Sequence, residues 1–102
     1  MTSTKLERDG FGNTAQVLTL GTHQSVAYTG TAGTISAEIG TNVVRVIATT
    51  DCYIKIGASP TATSSDVFLL ANAAEYFGCD PADKVSAIQV SSGGTIHVTA
   101  GA

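Results

Sequence analysis

Hydrophobic and polar side chains alternate along most of the chain, which is the period-two pattern of β-strands with one buried face. In the segment "CYIKIG", the side chains of Cys52, Ile54 and Ile56 fall on one face, which we expect to be buried. Tyr53 and Lys55 fall on the opposite face of the same strand. These two residues are therefore candidate contacts on an outer surface.

Similar patterns recur in other segments and predict about eight or nine short strands in all. The segment "TISAEIG" predicts a strand with Ile35, Ala37 and Ile39 on its buried face. The segment "TNVVRVIATT" is apolar on both faces except at Arg45, as expected of a central strand. The remaining strand-like segments are "TAQVLTL", "HQSVAY", "DVFLL", "EYFGC", "KVSAIQV" and "TIHVTA".

Turn signals separate these segments. Gly21 with Thr22 favours one turn, and the glycines of residues 30–33 favour another. "CDPADK" predicts a turn with Pro81 at its second position, and "SSGGT" predicts a hairpin turn. "LLANAAEYF" is expected to be a short turn between strands rather than a helix. The sequence therefore predicts an all-β fold, namely an antiparallel β-sandwich or jelly-roll-like domain of about eight strands with an extended N-terminal arm.

The arm is residues 1–13, "MTSTKLERDGFGN", the most charged part of the chain. Its apolar side chains Leu6 and Phe11 allow two interpretations. The segment is either a disordered terminus or a tether that orders on a neighbouring subunit, with these two residues as anchors. The remainder, residues 14–102, is expected to form a single β-sandwich domain, because a chain of 102 residues has no room for a second core.

Composition narrows the possible partners. Charged residues make up 13% of the chain, about half the usual share, which suggests that much of the surface is covered in the working state. The net charge is −3, which disfavours nucleic acid as a partner. A basic amphipathic helix and a long apolar run are both missing from the sequence, so no membrane partner is expected. The five basic residues are scattered: Lys5, Arg8, Arg45, Lys55 and Lys84.

Few residues suggest catalysis or ligand binding. His23 and His97 share no motif, and each is expected at a solvent-facing or interface position. No GxSxG elbow or phosphate-binding loop is present. Cys52 and Cys79 are expected to be small buried hydrophobic residues rather than a disulfide. We therefore expect no catalytic residue, cofactor or metal site, and do not expect an enzyme.

The neighbouring residues Tyr76 and Phe77 must face opposite sides of a strand. One interpretation places Phe77 in the core with Tyr76 as a partly exposed neighbour. The other makes Tyr76 part of a contact surface, since tyrosine buries area while keeping a polar group. The candidate interface residues are accordingly Leu6, Phe11, Tyr53, Lys55, Glu75 and Tyr76.

The second half of the chain resembles a known family. "GASPTAT" ends a strand, "EYF" follows in the next part of the sequence, and "DKVSAI" and "TIHVT" come after it in that order. From Val43 to Ala100, this arrangement is similar to small virion proteins of tailed bacteriophages. The sequence departs from that pattern at Ala82, where a turn glycine is usual, and at Asn72 and Ala73.

The resemblance implies a non-enzymatic structural protein, most closely a capsid decoration (cement) protein. Such a protein would assemble as a homotrimer and bind the major capsid protein on the outer surface of the head. It would be made in the host cytoplasm and located in the virion, on the capsid surface.

Two alternatives remain open. The first is another virion component, such as a head–tail connector, tail or fibre protein. The second is a carbohydrate-binding β-sandwich module, whose groove would be lined with exposed aromatic residues. The absence of tryptophan and the presence of only three tyrosines disfavour the second alternative.

Overall fold

The computed structural model describes residues 20–101 of the chain. This part contains eight strands and no helix, which confirms the predicted all-β fold. The strands are β1 (Leu20–Tyr28), β2 (Gly33–Thr34), β3 (Val43–Ala48), β4 (Cys52–Gly57), β5 (Val67–Leu69), β6 (Glu75–Gly78), β7 (Lys84–Gln89) and β8 (Gly94–Gly101).

The strands form two antiparallel four-stranded sheets that pack as a sandwich. Sheet A has the order β1-β8-β3-β6, and sheet B has the order β2-β7-β4-β5. Strand β1 pairs with β8, β2 with β7, β3 with β6, and β4 with β5. These pairs are nested like those of one long hairpin whose tip lies between β4 and β5. The hairpin is rolled up, so that the pairs β1–β8 and β3–β6 lie in sheet A and the pairs β2–β7 and β4–β5 lie in sheet B. This is the strand order of a jelly roll.

The core lies between the sheets and is built from the alternate positions that the sequence pattern marks. Strand β3 is an interior strand of sheet A, as predicted, and strand β4 turns Cys52 and Ile54 inward. The fully buried side chains of the two sheets interdigitate to form one apolar cluster. Its members from β3, β7 and β8 are Val44, Val46, Ala48, Val85, Ala87, Ile96, Val98 and Ala100.

Tyr28 is the one aromatic residue that is fully buried within residues 20–101. Its hydroxyl donates to Thr50 O at 2.7 Å and lies 2.8 Å from Thr50 Oγ1. These contacts satisfy the polar end of a side chain whose ring is otherwise in the core. They also fasten the end of β1 to the β3–β4 turn.

The predicted turn at Gly21 and Thr22 is wrong. Strand β1 continues through both residues, and its pairing with β8 shifts between Leu20 and His23. The irregularity is a β-bulge, which accommodates an extra residue without ending the strand.

The predicted strand "TISAEIG" is also largely wrong, since β2 ends at Thr34. Ile35 and Ile39 are buried as expected, but Ala37 is exposed because the chain arches away from β7 between them. The side chain of Gln24 takes the place of a neighbouring strand in hydrogen bonding to the backbone of this segment. It donates to Ala37 O and accepts from Ala37 N, each at 3.1 Å.

The turn predictions elsewhere have mixed outcomes. "CDPADK" is a turn, closed by the Asp83 N–H donating to Asp80 O at 2.9 Å. "LLANAAEYF" contains the expected turn, with Asn72 in the left-handed region at φ 60°. "SSGGT" is not a hairpin, because it connects β7 in sheet B to β8 in sheet A.

Candidate interaction surface

A group of apolar side chains covers one end of the outer face of sheet B. Tyr53 lies in register with Phe68 on β5 and with Ile88 on β7, so the three form a row across the sheet. Leu70 and Val90 continue that face beyond the ends of the same two strands. We call these five residues the sheet B patch: Tyr53, Phe68, Leu70, Ile88 and Val90.

The patch is apolar and accessible. Phe68 is 48% exposed, Leu70 54% and Val90 41%. The rings of Tyr53 and Phe68 meet edge to face, with centroids 6.0 Å apart and an interplanar angle of 71°. Exposed aromatic and aliphatic side chains clustered on a sheet face are typical of interaction sites.

Asp51 holds the two ends of the patch in place. Its backbone carbonyl accepts from Val90 N at 3.3 Å. Its carboxylate accepts from Ala71 N at 2.8 Å, directly after Leu70. The β4 end of sheet B therefore fixes the positions at which Leu70 and Val90 emerge. A rigid frame of this kind lowers the entropic cost of binding.

The other half of the outer face of sheet B is covered by the loop between β4 and β5. Pro60 and Ala62 are buried there, outside the apolar core cluster. The Ala62 N–H donates to Ser86 Oγ at 2.9 Å, and Thr34 Oγ1 donates to the same oxygen at 3.1 Å. Ser86 is consequently fully buried although it faces away from the core.

The outer face of sheet A has a different chemistry. His23 on β1 and His97 on β8 stack with ring centroids 5.5 Å apart, and His23 Nδ1 lies 3.0 Å from Thr99 Oγ1. Arg45 and Tyr76 lie beside Thr99 in the same register row. The sequence predicts that both histidines face outward. It does not indicate that the bulged pairing of β1 with β8 brings them together.

The predicted interface residues are divided between two faces. Tyr53 and Lys55 lie on the outer side of sheet B, as the alternation predicted. Glu75 and Tyr76 lie on β6 at the edge of sheet A, where both are exposed. These four residues therefore do not share one surface. Leu6 and Phe11 lie outside the described residues.

The sequence interpretation missed Phe68, Leu70, Ile88 and Val90. Their strands were predicted from "DVFLL" and "KVSAIQV", but each segment contains apolar residues at adjacent positions, so neither shows by itself which residues face outward. The register with β4 shows which residues face outward, because Phe68 and Ile88 pair with the outward-facing Tyr53.

The two thiols of the described region are weakly reactive. Both cysteines are free thiols. Burial raises the pKa of the Cys52 thiol, and burial followed by the charges of Asp83 and Asp80 raises the pKa of Cys79. A raised pKa keeps the thiol protonated and weakly nucleophilic at neutral pH. Among residues 20–101, no three His, Cys, Asp or Glu side chains form a group that could hold a metal ion.

No family model, curated protein or solved structure matches the chain. No helix in the region that the structure describes is long and apolar enough to cross a membrane.

Proposed function

We propose that this protein is a capsid decoration protein of a tailed bacteriophage, which binds the outer surface of the head as a homotrimer and stabilises the shell. The observation that carries the proposal is the sheet B patch, where Phe68, Leu70 and Val90 are exposed together on one sheet face. The resemblance of residues 43–100 to small virion proteins supplies the identity of the partner.

The sheet B patch suits attachment to a large, flat protein surface. Three apolar side chains on one sheet face bury only a modest area, so a single copy would bind weakly. Three copies joined in a trimer bind with a high effective concentration, which strengthens attachment without any new contact. The low charge of the chain fits a protein that works with much of its surface covered.

The fold is compatible with this role. Double-sheet jelly rolls are found in viral capsid proteins and also in lectins and cupins. A fold shared by several functions supports the proposal only by analogy. The specific support comes from the sheet B patch.

The decisive experiment adds the purified protein to undecorated heads of the phage that encodes it and measures their resistance to heat and low salt. We expect the native chain to raise the temperature at which the heads release DNA. The double variant Phe68→Ser/Leu70→Ser should lose most of this protection. Leu20→Ser is the matched control, because Leu20 is equally exposed at 58% but lies on β1 of the other sheet.

The native chain leaving the heads as fragile as before would overturn the proposal. Protection of tails instead of heads, seen by immunogold labelling of whole virions, would favour the other virion roles. The edge-to-face pair of Tyr53 and Phe68 also gives the carbohydrate alternative a physical basis. Binding to host surface polysaccharide that is lost in Phe68→Ser, without binding to heads, would favour that alternative.

A further inference from the structure

The sandwich is open along the side where β5 and β6, the edge strands of the two sheets, face each other. A cavity of about 300 Å³ lies there, continuous with the core. We call it the β5–β6 cleft. It is lined by Ile54, Ile56, Val67, Phe77, Lys55 and Asp66.

Two residues of the cleft lie on the core-facing side of their strands but are not fully buried. Val67 pairs with Ile54, which is 2% exposed, yet Val67 itself is 56% exposed. Phe77 pairs with Val44, which is fully buried, yet Phe77 is only partly buried. In residues 20–101, nothing covers these side chains on the open side. An apolar strip of this kind is stabilised when another apolar group excludes water from it.

We propose that the β5–β6 cleft receives the N-terminal segment of a neighbouring copy of this chain, with Leu6 and Phe11 as the inserted side chains. This inference rests on the trimer of the proposed function and assigns the contact that holds its subunits together. Insertion of two large apolar side chains would close the core of each subunit with residues of the next one.

Leu20 and the cleft lie at opposite edges of sheet A, so the segment that precedes Leu20 can join one copy to the next. Leu20 is on β1, at one edge of sheet A, and its register row continues through Gly101 and Val43 to Gly78 on β6, at the opposite edge. The β1 edge, from which the N-terminal segment leaves, is thus separated from the β6 edge, beside the cleft, by three strand spacings, about 14 Å. A molecule with the inserted segment on one side and the receiving cleft on the other makes a head-to-tail contact with the next copy. Such contacts close into a ring in a cyclic trimer.

Length and charge are also compatible with the proposal. Leu6 precedes Leu20 by 14 residues, which span at most about 46 Å when extended. Lys5 and Glu7 flank Leu6, so the segment carries one charge of each sign beside its anchor. Lys55 and Asp66 provide one charge of each sign at the cleft.

Disulfide trapping between two variants tests the contact directly. One tagged chain carries Leu6→Cys and a second chain carries Val67→Cys, both with Cys79→Ser to remove the accessible native thiol. After mixing and mild oxidation, we expect a covalent dimer that contains one of each chain. Val90→Cys is the matched acceptor control, because Val90 is an exposed valine that lies beyond the other end of β7 from the cleft. It should give no dimer.

A second measurement follows the oligomer without relying on oxidation. Val67→Asp places a charge in the cleft and should raise the concentration at half-assembly, measured by light scattering, by about tenfold or more, since one buried large apolar side chain accounts for such a factor. Val90→Asp should leave half-assembly unchanged while weakening attachment to heads. Circular dichroism shows whether each variant remains folded.

The outcomes separate this inference from the proposed function. A double variant Leu6→Cys/Val67→Cys that oxidises only within one chain, or a trimer that persists in Val67→Asp, would overturn the contact between copies while head protection could still stand. If the cysteine variants form the mixed dimer but the native chain leaves heads unprotected, the contact is retained and the decoration role is overturned. Absence of both mixed dimer and trimer would overturn the cleft contact as well.

Discussion

At the scale of single residues, Ser86 shows how a polar group can be buried on the outside of a sheet. Its hydroxyl accepts from Ala62 N and Thr34 Oγ1 and fastens the β4–β5 loop to sheet B. Small residues at Pro60 and Ala62 allow the loop to approach this closely. The residues Pro60 and Ala62 within "GASPTATSS" are therefore explained by packing, because bulky or charged side chains at these two positions would hold the loop away from the sheet.

Replacing Ser86 with alanine should lower the free energy of unfolding by about 1–3 kcal/mol, because the buried Ala62 N–H would lose its acceptor. The measurement is urea unfolding followed by circular dichroism. Ser59→Ala is the matched control, since Ser59 lies exposed in the same loop. Equal stability of the two variants would mean that the loop is not held by this hydrogen bond.

The stability of the protein should fall at alkaline pH. Burial raises the pKa of Cys52 and of Tyr28, so the folded state binds these protons more tightly than the unfolded state. Their contribution is fully present below the unfolded pKa of the thiol, about 9, and is lost as the pH rises through the folded pKa values. Thermal unfolding from pH 7 to 10.5 should show the decline.

Cys52→Ala should make that decline shallower, since one of the groups whose folded pKa is raised is removed. Any overall destabilisation by the smaller side chain appears equally at pH 7 and can be subtracted. A variant whose melting temperature falls with pH as steeply as that of the native chain would contradict a role for the thiol.

At the scale of elements, alternation predicted strands well where one face is buried and the other is not. Strand β4 shows this, with Cys52 and Ile54 inside and Lys55 outside. It failed for "TISAEIG", where the same alternation occurs but the Gln24 side chain, rather than a strand, pairs with the backbone. A side-chain substitute for a ladder depends on a contact between distant residues, and local periodicity contains no information about it.

The passage of the chain from sheet A to sheet B depends on a close approach at Gly33. A β-carbon on Gly33 would collide with the carbonyl oxygen of Ala27, which is backbone and cannot move aside. Gly33→Ala should therefore destabilise the protein by about 1–3 kcal/mol. Gly57→Ala is the matched control, because nothing lies within 4 Å of its β-carbon position. Thermal melts compare the two variants, and a stable Gly33→Ala would show that β1 and β2 can separate.

At the scale of the whole molecule, the nested strand pairs explain why topology could not be predicted from the sequence. Three of the four pairs join strands that are distant along the chain, and only β4 and β5 are neighbours in both sequence and sheet. Turn signals indicate where the chain reverses, but they do not show whether it returns in the same sheet. The "SSGGT" segment has the composition of a hairpin and nonetheless crosses between sheets.

The same limit applies to the candidate surface. Tyr53 and Lys55 could be placed on an outer face from their own strand. The patch around Tyr53 required the pairing of three strands, and this pairing also left Glu75 and Tyr76 at the edge of the other sheet.

Strand β8 should be indispensable for folding, because it lies between β1 and β3 and pairs with both. A chain ending at Val90 is expected to lack cooperative thermal unfolding and the β-sheet signal in circular dichroism. Deletion of residues 1–13 is the control and should leave that signal intact. A cooperatively folded chain without β8 would show that sheet A can form with β1 and β3 in another arrangement.

The interior position of β8 has a consequence for synthesis on the ribosome. Strand β3, with its apolar sequence "VVRVIA", leaves the exit tunnel about 46 residues before β8 begins. At about 5–20 residues per second, β3 waits roughly 2–9 s for β8, and β1, which ends about 66 residues before β8 begins, waits roughly 3–13 s. During this interval the nascent chain exposes the edges and the apolar face of an incomplete sheet. Chaperone binding to the nascent chain would protect it then, and the trimer that we propose could assemble only after sheet A is complete.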